Sequence, residues 1–309
     1  MRRLSLPLLC LLALAAAPAA ASAATIGISD QQASTFASPL YAPLKLKVAR
    51  YIAPYDVIGD ADQHARLDAW IAGAQAQKQA ILVAFEHSYR SVSQTKKAPT
   101  VAAYTKALKA FHKAYPQVKD VQPWNEANRC QRVLPDGNVI GQPICKNPKR
   151  AAEYYMAARK IFKGKVTGLD VLDQDNVRSS VKYVKDFLKY AKPRPKYWGF
   201  HNYSDTNRFS ESRTKALLAA TGSGEVWLTE TGGLVQFGAS FPEDQDRAAR
   251  ALGCMFTIAK LPRIKRVYIY HFNGAPGADA FDAGLLNLDG TPRPGYDIVK
   301  KRKASACRK

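Results

Sequence analysis

Beyond residue 24 the chain alternates, eight times over, between a short apolar run and a crossover that is mostly helical. The runs cover residues 25–29, 46–53, 80–85, 118–124, 165–172, 196–202, 225–229 and 266–272. Helical spacing fills most of the gaps. Leu67, Trp70, Ile71 and Ala74 share one stripe of 61–77, and Tyr104, Leu108 and Phe111 share one of 100–115. Further helices are expected over 148–162, 177–190, 212–221, 243–261 and 296–303, while Pro39 and Pro43 make the first crossover irregular. Antiparallel neighbours need only a hairpin turn, so repeated helical crossovers imply parallel strands. Eight units of about 36 residues match a (β/α)8 barrel. A doubly wound open sheet is the alternative, but its glycine-rich turn is missing after the first run, at 28–32. With no linker, low-complexity block or longer repeat, residues 24–309 read as one α/β domain ending in a short, loose basic tail over 300–309.

The first 23 residues read differently. Arg2 and Arg3 precede an apolar stretch over 4–17, and Ala21-Ser22-Ala23 has the small-residue pattern of a cleavage site. The stretch is short for a membrane span of about 20 residues. Residues 1–23 are therefore expected to be a removable signal peptide and the protein to be secreted, extracellular or bound at the cell envelope. Four cysteines follow it. Cys130 and Cys145 bracket one polar loop containing Gly137 and Gly141, and are expected to pair. Cys254 and Cys307 either pair, pinning the C-terminus, or leave Cys254 as a buried thiol. Their spacing is not that of a zinc site.

Lysine and arginine number 46 against 25 acids, a formal charge of +21 that falls to about +19 without Arg2 and Arg3. A solvated basic exterior accounts for this; the functional reading is attraction to an anionic polysaccharide or cell surface. Nucleic acid is not an expected partner, since no nucleic-acid motif occurs.

A barrel of this kind carries its site at the C-terminal ends of the strands. Polar residues gather there: Arg50, Tyr55 and Asp56 on the second run, Glu86 and His87 on the third, Asn125 and Glu126 on the fourth. Asp173 and Asp175 close the fifth, His201, Asn202 and Tyr203 the sixth, Glu230 the seventh, His271 and Asn273 the eighth. Asp173 and Asp175 read as caps of the following helix. Glu126 and Glu230 end the fourth and seventh strands, so their carboxyls face each other across the barrel mouth. Paired carboxylates in that position suit glycoside hydrolysis. Trp124, Trp198 and Trp227 lie within strands and read as core.

The flanks of both glutamates carry a resemblance. Trp124-Asn125-Glu126, Leu228-Thr229-Glu230-Thr231-Gly232, Gly199-Phe200-His201-Asn202-Tyr203 and the closing stretches 284–287 and 290–294 resemble clan A of the glycoside hydrolases, retaining (β/α)8 enzymes. The likeness covers the whole mature chain. It implies that Glu126 is the acid/base and that Glu230 is the nucleophile. An acid must hold a proton, so burial or nearby negative charge is expected to raise the pKa of Glu126. The likeness further implies that Asn125 bonds the sugar 2-hydroxyl, that Arg50 keeps Glu230 ionised, and that His201 or Tyr203 contacts Glu230. Glu86, His87 and His271 are expected sugar contacts. Ala127 stands where many relatives have proline, and Tyr270-His271-Phe272 where the clan often has a tryptophan floor. The expected partner is a carbohydrate bound by a monomer, with no cofactor and no metal. Two other functions compete: a carbohydrate-binding barrel without turnover, and metal-assisted hydrolysis by Glu86, His87, His201 and His271, against which no His-x-His or His-x-x-x-His pair appears.

Overall fold

The computed structural model describes residues 23–134, 136–174, 176–277 and 280–308. The expected signal peptide lies outside them except for Ala23, as does Asp175. Eight strands form one parallel sheet: β1 (Thr25–Ser29), β2 (Val48–Pro54), β3 (Ala80–Glu86), β4 (Asp120–Gln122), β5 (Asp170–Leu172), β6 (Tyr197–His201), β7 (Glu225–Thr231) and β8 (Ile264–Ile269). Neighbours in the sheet run β4-β3-β2-β1-β8-β7-β6-β5. The ends meet where Val121 of β4 exchanges backbone hydrogen bonds with the 165–167 segment, at 3.1 Å from its amide to the Lys165 carbonyl and 3.1 Å from the Thr167 amide to its own carbonyl. The sheet is thus a closed (β/α)8 barrel.

Helices α1 (Ala61–Ala76), α2 (Val101–Ala114), α3 (Pro148–Ile161), α4 (Val177–Tyr190), α5 (Ser212–Thr221), α6 (Gln245–Ile258) and α7 (Pro294–Lys301) follow β2 to β8 in turn. The first crossover is built from two 3₁₀ turns, Ala33–Ala37 and Ala42–Leu44. Short polar side chains start most helices: Asp60, Thr100, Asn147, Asn176 and Asp244 each accept a first-turn amide. The apolar stripes foreseen for α1 and α2 are buried.

Two strands are shorter than their apolar runs. Pro123 has no amide to donate, so the ladder of β4 stops at Gln122 and resumes with the Asn125 amide on the Phe85 carbonyl. The run over 165–172 is split at Gly168, where a Cβ would lie 2.2 Å from Pro195 Cγ. There the chain leaves β4 and bonds to Tyr197 of β6.

Trp124, Trp198 and Trp227 are all buried. Trp227 packs inside the barrel with Val48, Leu82 and Tyr268 as an apolar floor. Two residues further along the strands, on the same face, stand Arg50 and Thr229. The barrel interior thus changes from apolar to polar within one layer, and the polar layer supports the site.

Both disulfides are present, Cys130–Cys145 and Cys254–Cys307. The second settles the open choice for Cys254 and corrects the expectation of a loose tail. The Ser305 amide donates to the Gly253 carbonyl at 3.0 Å, and Arg302 Nη2 to the Leu44 carbonyl at 2.6 Å, so the tail is fastened to α6 and to the first crossover. No helix among the described residues is long and apolar enough to cross a membrane.

Candidate active site

Arg50 is the hub of the strand ends. Its guanidinium is fully buried and its donors meet five acceptors: Gln122 Oε1 at 2.8 Å, Ser29 Oγ at 3.0 Å, Glu230 Oε1 at 2.6 Å, Asn125 Oδ1 at 2.7 Å and Asp170 Oδ2 at 3.2 Å. Burial opposes its charge, but Glu230 and Asp170 prevail and raise its pKa. A planar fork of five donors suits such a site as no ammonium would.

Strict alternation along β7 would turn Glu230 away from the side on which Thr229 points. A bulge prevents this. Phe200 pairs with Leu228 but His201 with Glu230, and on the other side Val267 pairs with Leu228 but Ile269 with Thr231. One extra residue in β7 lets both Thr229 and Glu230 face the interior. Thr229 Oγ1 donates to Asp170 Oδ1 at 2.6 Å, and Tyr203 donates to Glu230 Oε2 at 3.1 Å.

Glu126 leaves β4 with φ 41°, a left-handed conformation that costs a side-chain-bearing residue roughly 1–2 kcal/mol. Its carboxyl is met on both oxygens: His201 Nδ1 is 3.0 Å from Oε1, and Arg129 Nη1 is 2.8 Å from Oε2. His201 Nδ1 also lies 3.6 Å from Glu230 Oε2, and its Nε2 lies 2.9 Å from Asp170 Oδ2. Burial works against a charged His201, yet Asp170, Glu230 and Glu126 overcome it and push its pKa up to about 10. Burial likewise pushes Asp170 up, but His201 and Arg50 hold it below the usual carboxylate range. For Glu126 burial is again outweighed, by Arg129 and His201, and its pKa falls to about 2. This corrects the expectation of a raised Glu126 pKa: the cations around it favour the ionised form.

Glu86 accepts from Asn125 Nδ2 and Gln142 Nε2, each at 2.9 Å, and from the Tyr89 hydroxyl. Arg50, Glu86, Asn125, Glu126, His201, Tyr203 and Glu230 therefore form one network. His87 and His271 stand beside it. His87 Nδ1 is buried with no hydrogen-bond partner among the described residues. His271 Nε2 accepts from the Ala283 amide at 3.4 Å and faces Asp30. Asp173 does not cap α4, whose cap is Asn176; it accepts the Ser204 and Asp205 amides instead.

Three contributors, Asp170, Gln142 and Arg129, were not singled out by sequence, and Tyr270 was named without a role. Asp170 opens a strand instead of ending one. Gln142 and Arg129 belong to the disulfide-closed loop and its approach. Tyr270 follows β8; burial raises the pKa of its hydroxyl, and Glu230, Asp30 and Glu126 add to the rise. One oxygen of Glu126, one nitrogen of His201 and one oxygen of Glu230 lie within 4.8 Å of one another, near enough to share a cation. The imidazolium of His201, with Arg50 and Arg129, already supplies positive charge to these carboxyls.

The (β/α)8 barrel is an architecture shared with solved glycoside hydrolases. Among solved structures the chain is similar to a family 39 glycoside hydrolase from Bacteroides cellulosilyticus WH2 (TM-score 0.59, 14% identity over 91% of this chain), of which it spans 63% of the length. It is also similar to a psychrophilic family 10 endo-β-1,4-xylanase (TM-score 0.62, 13% identity, 90% of this chain and 96% of that one). A third match is an endo-β-1,4-glucanase of Xanthomonas axonopodis pv. citri (TM-score 0.61, 14% identity, 90% and 98%). At these identities the likeness establishes the fold alone, a (β/α)8 barrel. No family model and no curated protein matches the sequence.

Proposed function

We propose that the protein is an exported retaining β-glycosidase acting on a polysaccharide or oligosaccharide. The carrying observation is the pair of carboxyl oxygens, one from Glu126 and one from Glu230, within 4.8 Å of each other. So close an approach of one oxygen from each carboxyl is compatible with the roughly 5–5.5 Å carboxyl separation of retaining enzymes. Glu230, held by Arg50 and Tyr203, attacks the anomeric carbon. Glu126 gives a proton to the departing glycosidic oxygen, then takes one from the water that releases the sugar from Glu230. Asn125 and the ring of Tyr270 are placed to hold the sugar. The fold neighbours support this assignment, and the two disulfides support an oxidising compartment.

Binding without turnover is a second reading. It is favoured by the depressed pKa of Glu126, since an ionised carboxylate has no proton to give.

A screen of polysaccharides and aryl β-glycosides separates the two. We expect hydrolysis that Glu126→Ala and Glu230→Ala each reduce by at least a thousandfold. Azide should rescue Glu126→Ala with retained anomeric configuration and Glu230→Ala with inverted configuration. Sugar binding with no hydrolysis across the panel would leave the second reading standing.

A further inference from the structure

Both oxygens of Glu126 are occupied by cations, and a general acid needs one of them protonated and turned to its substrate. His201 cannot yield: it is fully buried and backed by Asp170 at 2.9 Å. Arg129 can. Its side chain is 39% exposed, against 8% for that of Glu126. Its backbone, by contrast, is pinned. The Arg129 amide donates to the Glu126 carbonyl at 2.9 Å, the Gln142 amide donates to the Arg129 carbonyl at 2.7 Å, and the next residue is Cys130 of the disulfide. A fixed stem thus carries a guanidinium that can swing, beside Glu126 and within the electrostatic reach of Glu230 and Glu86.

We propose that Arg129 is the receptor for an acidic sugar: the carboxylate of a uronic acid residue takes the guanidinium from Glu126, leaving Oε2 of Glu126 free to carry the proton the reaction needs. This rests on the glycosidase reading. Glu126 takes up one proton from solvent acid as the ion pair opens, and the hydrolytic water restores it to Glu126 when the glycosyl–Glu230 ester is cleaved. A planar carboxylate can match the arginine fork bidentately, whereas a neutral hydroxyl offers no charge to compete with Glu126. The net charge of +21 points the same way, since it concentrates polyanions at the surface. The inference also accounts for the depressed pKa of Glu126: the resting site is latched, and its substrate is the key.

The test compares a β-linked polyuronate with its carboxyl-reduced neutral counterpart and a sulfated form of the latter. We expect the wild type to hydrolyse the polyuronate with kcat/KM at least tenfold above either control. Arg129→Gln should abolish that preference, raising KM for the polyuronate and speeding hydrolysis of the neutral polymer severalfold. Arg129→Lys, which keeps charge without the fork, should fall between and serves as the folding control. Equal losses on all three polymers, or a wild-type preference for the neutral one, overturn the proposal; a preference for the sulfated form overturns its carboxylate assignment. Calorimetric binding of the same oligosaccharides to Glu126→Ala distinguishes the two claims. If nothing is hydrolysed but carboxylated ligands bind better and Arg129→Gln removes the difference, glycosidase activity fails while recognition by Arg129 stands. Equal binding of carboxylated and neutral ligands overturns the recognition itself.

Discussion

Arg50 Nη1 lies 2.6 Å from Glu230 Oε1, an ion pair between side chains 180 positions apart that joins β2 to β7 across the barrel. The same guanidinium binds groups from β1, β4 and β5, so one residue sets the shape of the polar layer. Removing one partner of a buried pair costs about 3–5 kcal/mol, because the other partners stay buried and unpaired. Arg50→Ala should lower the unfolding free energy by that amount in urea titration. Arg50→Lys should recover only part of it, since an ammonium has three donors for five acceptors. A loss below about 1 kcal/mol would contradict the role assigned to Arg50.

His201 makes stability depend on alkali. Its pKa in the folded protein is about 10 against an ordinary 6.5. Folding therefore favours the proton, so this contribution is complete below pH 6.5 and is lost as pH rises through about 10. The denaturant midpoint of the wild type should fall across that window, and that of His201→Gln should stay nearly level. Glu126 works in the opposite direction: its folded pKa is depressed to about 2, so its contribution is present above an ordinary 4.5 and fades as pH drops toward 2.

Gly199 is fixed by crowding inside the barrel. A Cβ there would lie 2.3 Å from Gln122 Nε2 and 2.5 Å from Asp170 Oδ1. Gly199→Ala must displace Asp170, and with it the support of His201 and Arg50. Overpacking of this kind costs about 1–3 kcal/mol. We expect that loss in thermal or urea denaturation together with at least a tenfold drop in hydrolytic kcat; normal activity in a destabilised variant would separate Asp170 from the site.

The sequence carried the alternation of strands and helices, and that was enough to order eight parallel strands and to put Glu126 and Glu230 at their ends. It could not carry the bulge in β7, because an extra residue leaves no mark in an apolar run, and without the bulge Glu230 would point outward. Nor could it reveal Asp170, which begins a strand whose apolar run was split by the partner change at Gly168. Gln142 and Arg129 reach the network through a disulfide-closed loop, where side-chain direction follows from tertiary contacts rather than from any period. The pKa of Glu126 was misjudged for the same reason: burial was foreseen, and the two cations that outweigh it were not.

The two disulfides act on different parts of the molecule and should fail differently. Cys130 and Cys145 are separated by 15 positions, and the loop they close presents Gln142 to Glu86 and follows directly on Arg129. Loop-closure entropy assigns a bridge of that span about 3 kcal/mol. The pair Cys254–Cys307 spans 53 positions, for which the same relation gives about 4 kcal/mol, yet it ties the tail to α6 far from the strand ends. The double variant Cys254→Ala/Cys307→Ala should thus lose more stability while keeping its kinetics, including the response to acidic substrate. Cys130→Ala/Cys145→Ala should lose less stability but raise KM, because the stem of Arg129 and the bridge from Gln142 to Glu86 are no longer held. Urea titration and steady-state kinetics on both variants check the ordering; equal kinetic effects would mean that the loop over 130–145 does not position the site.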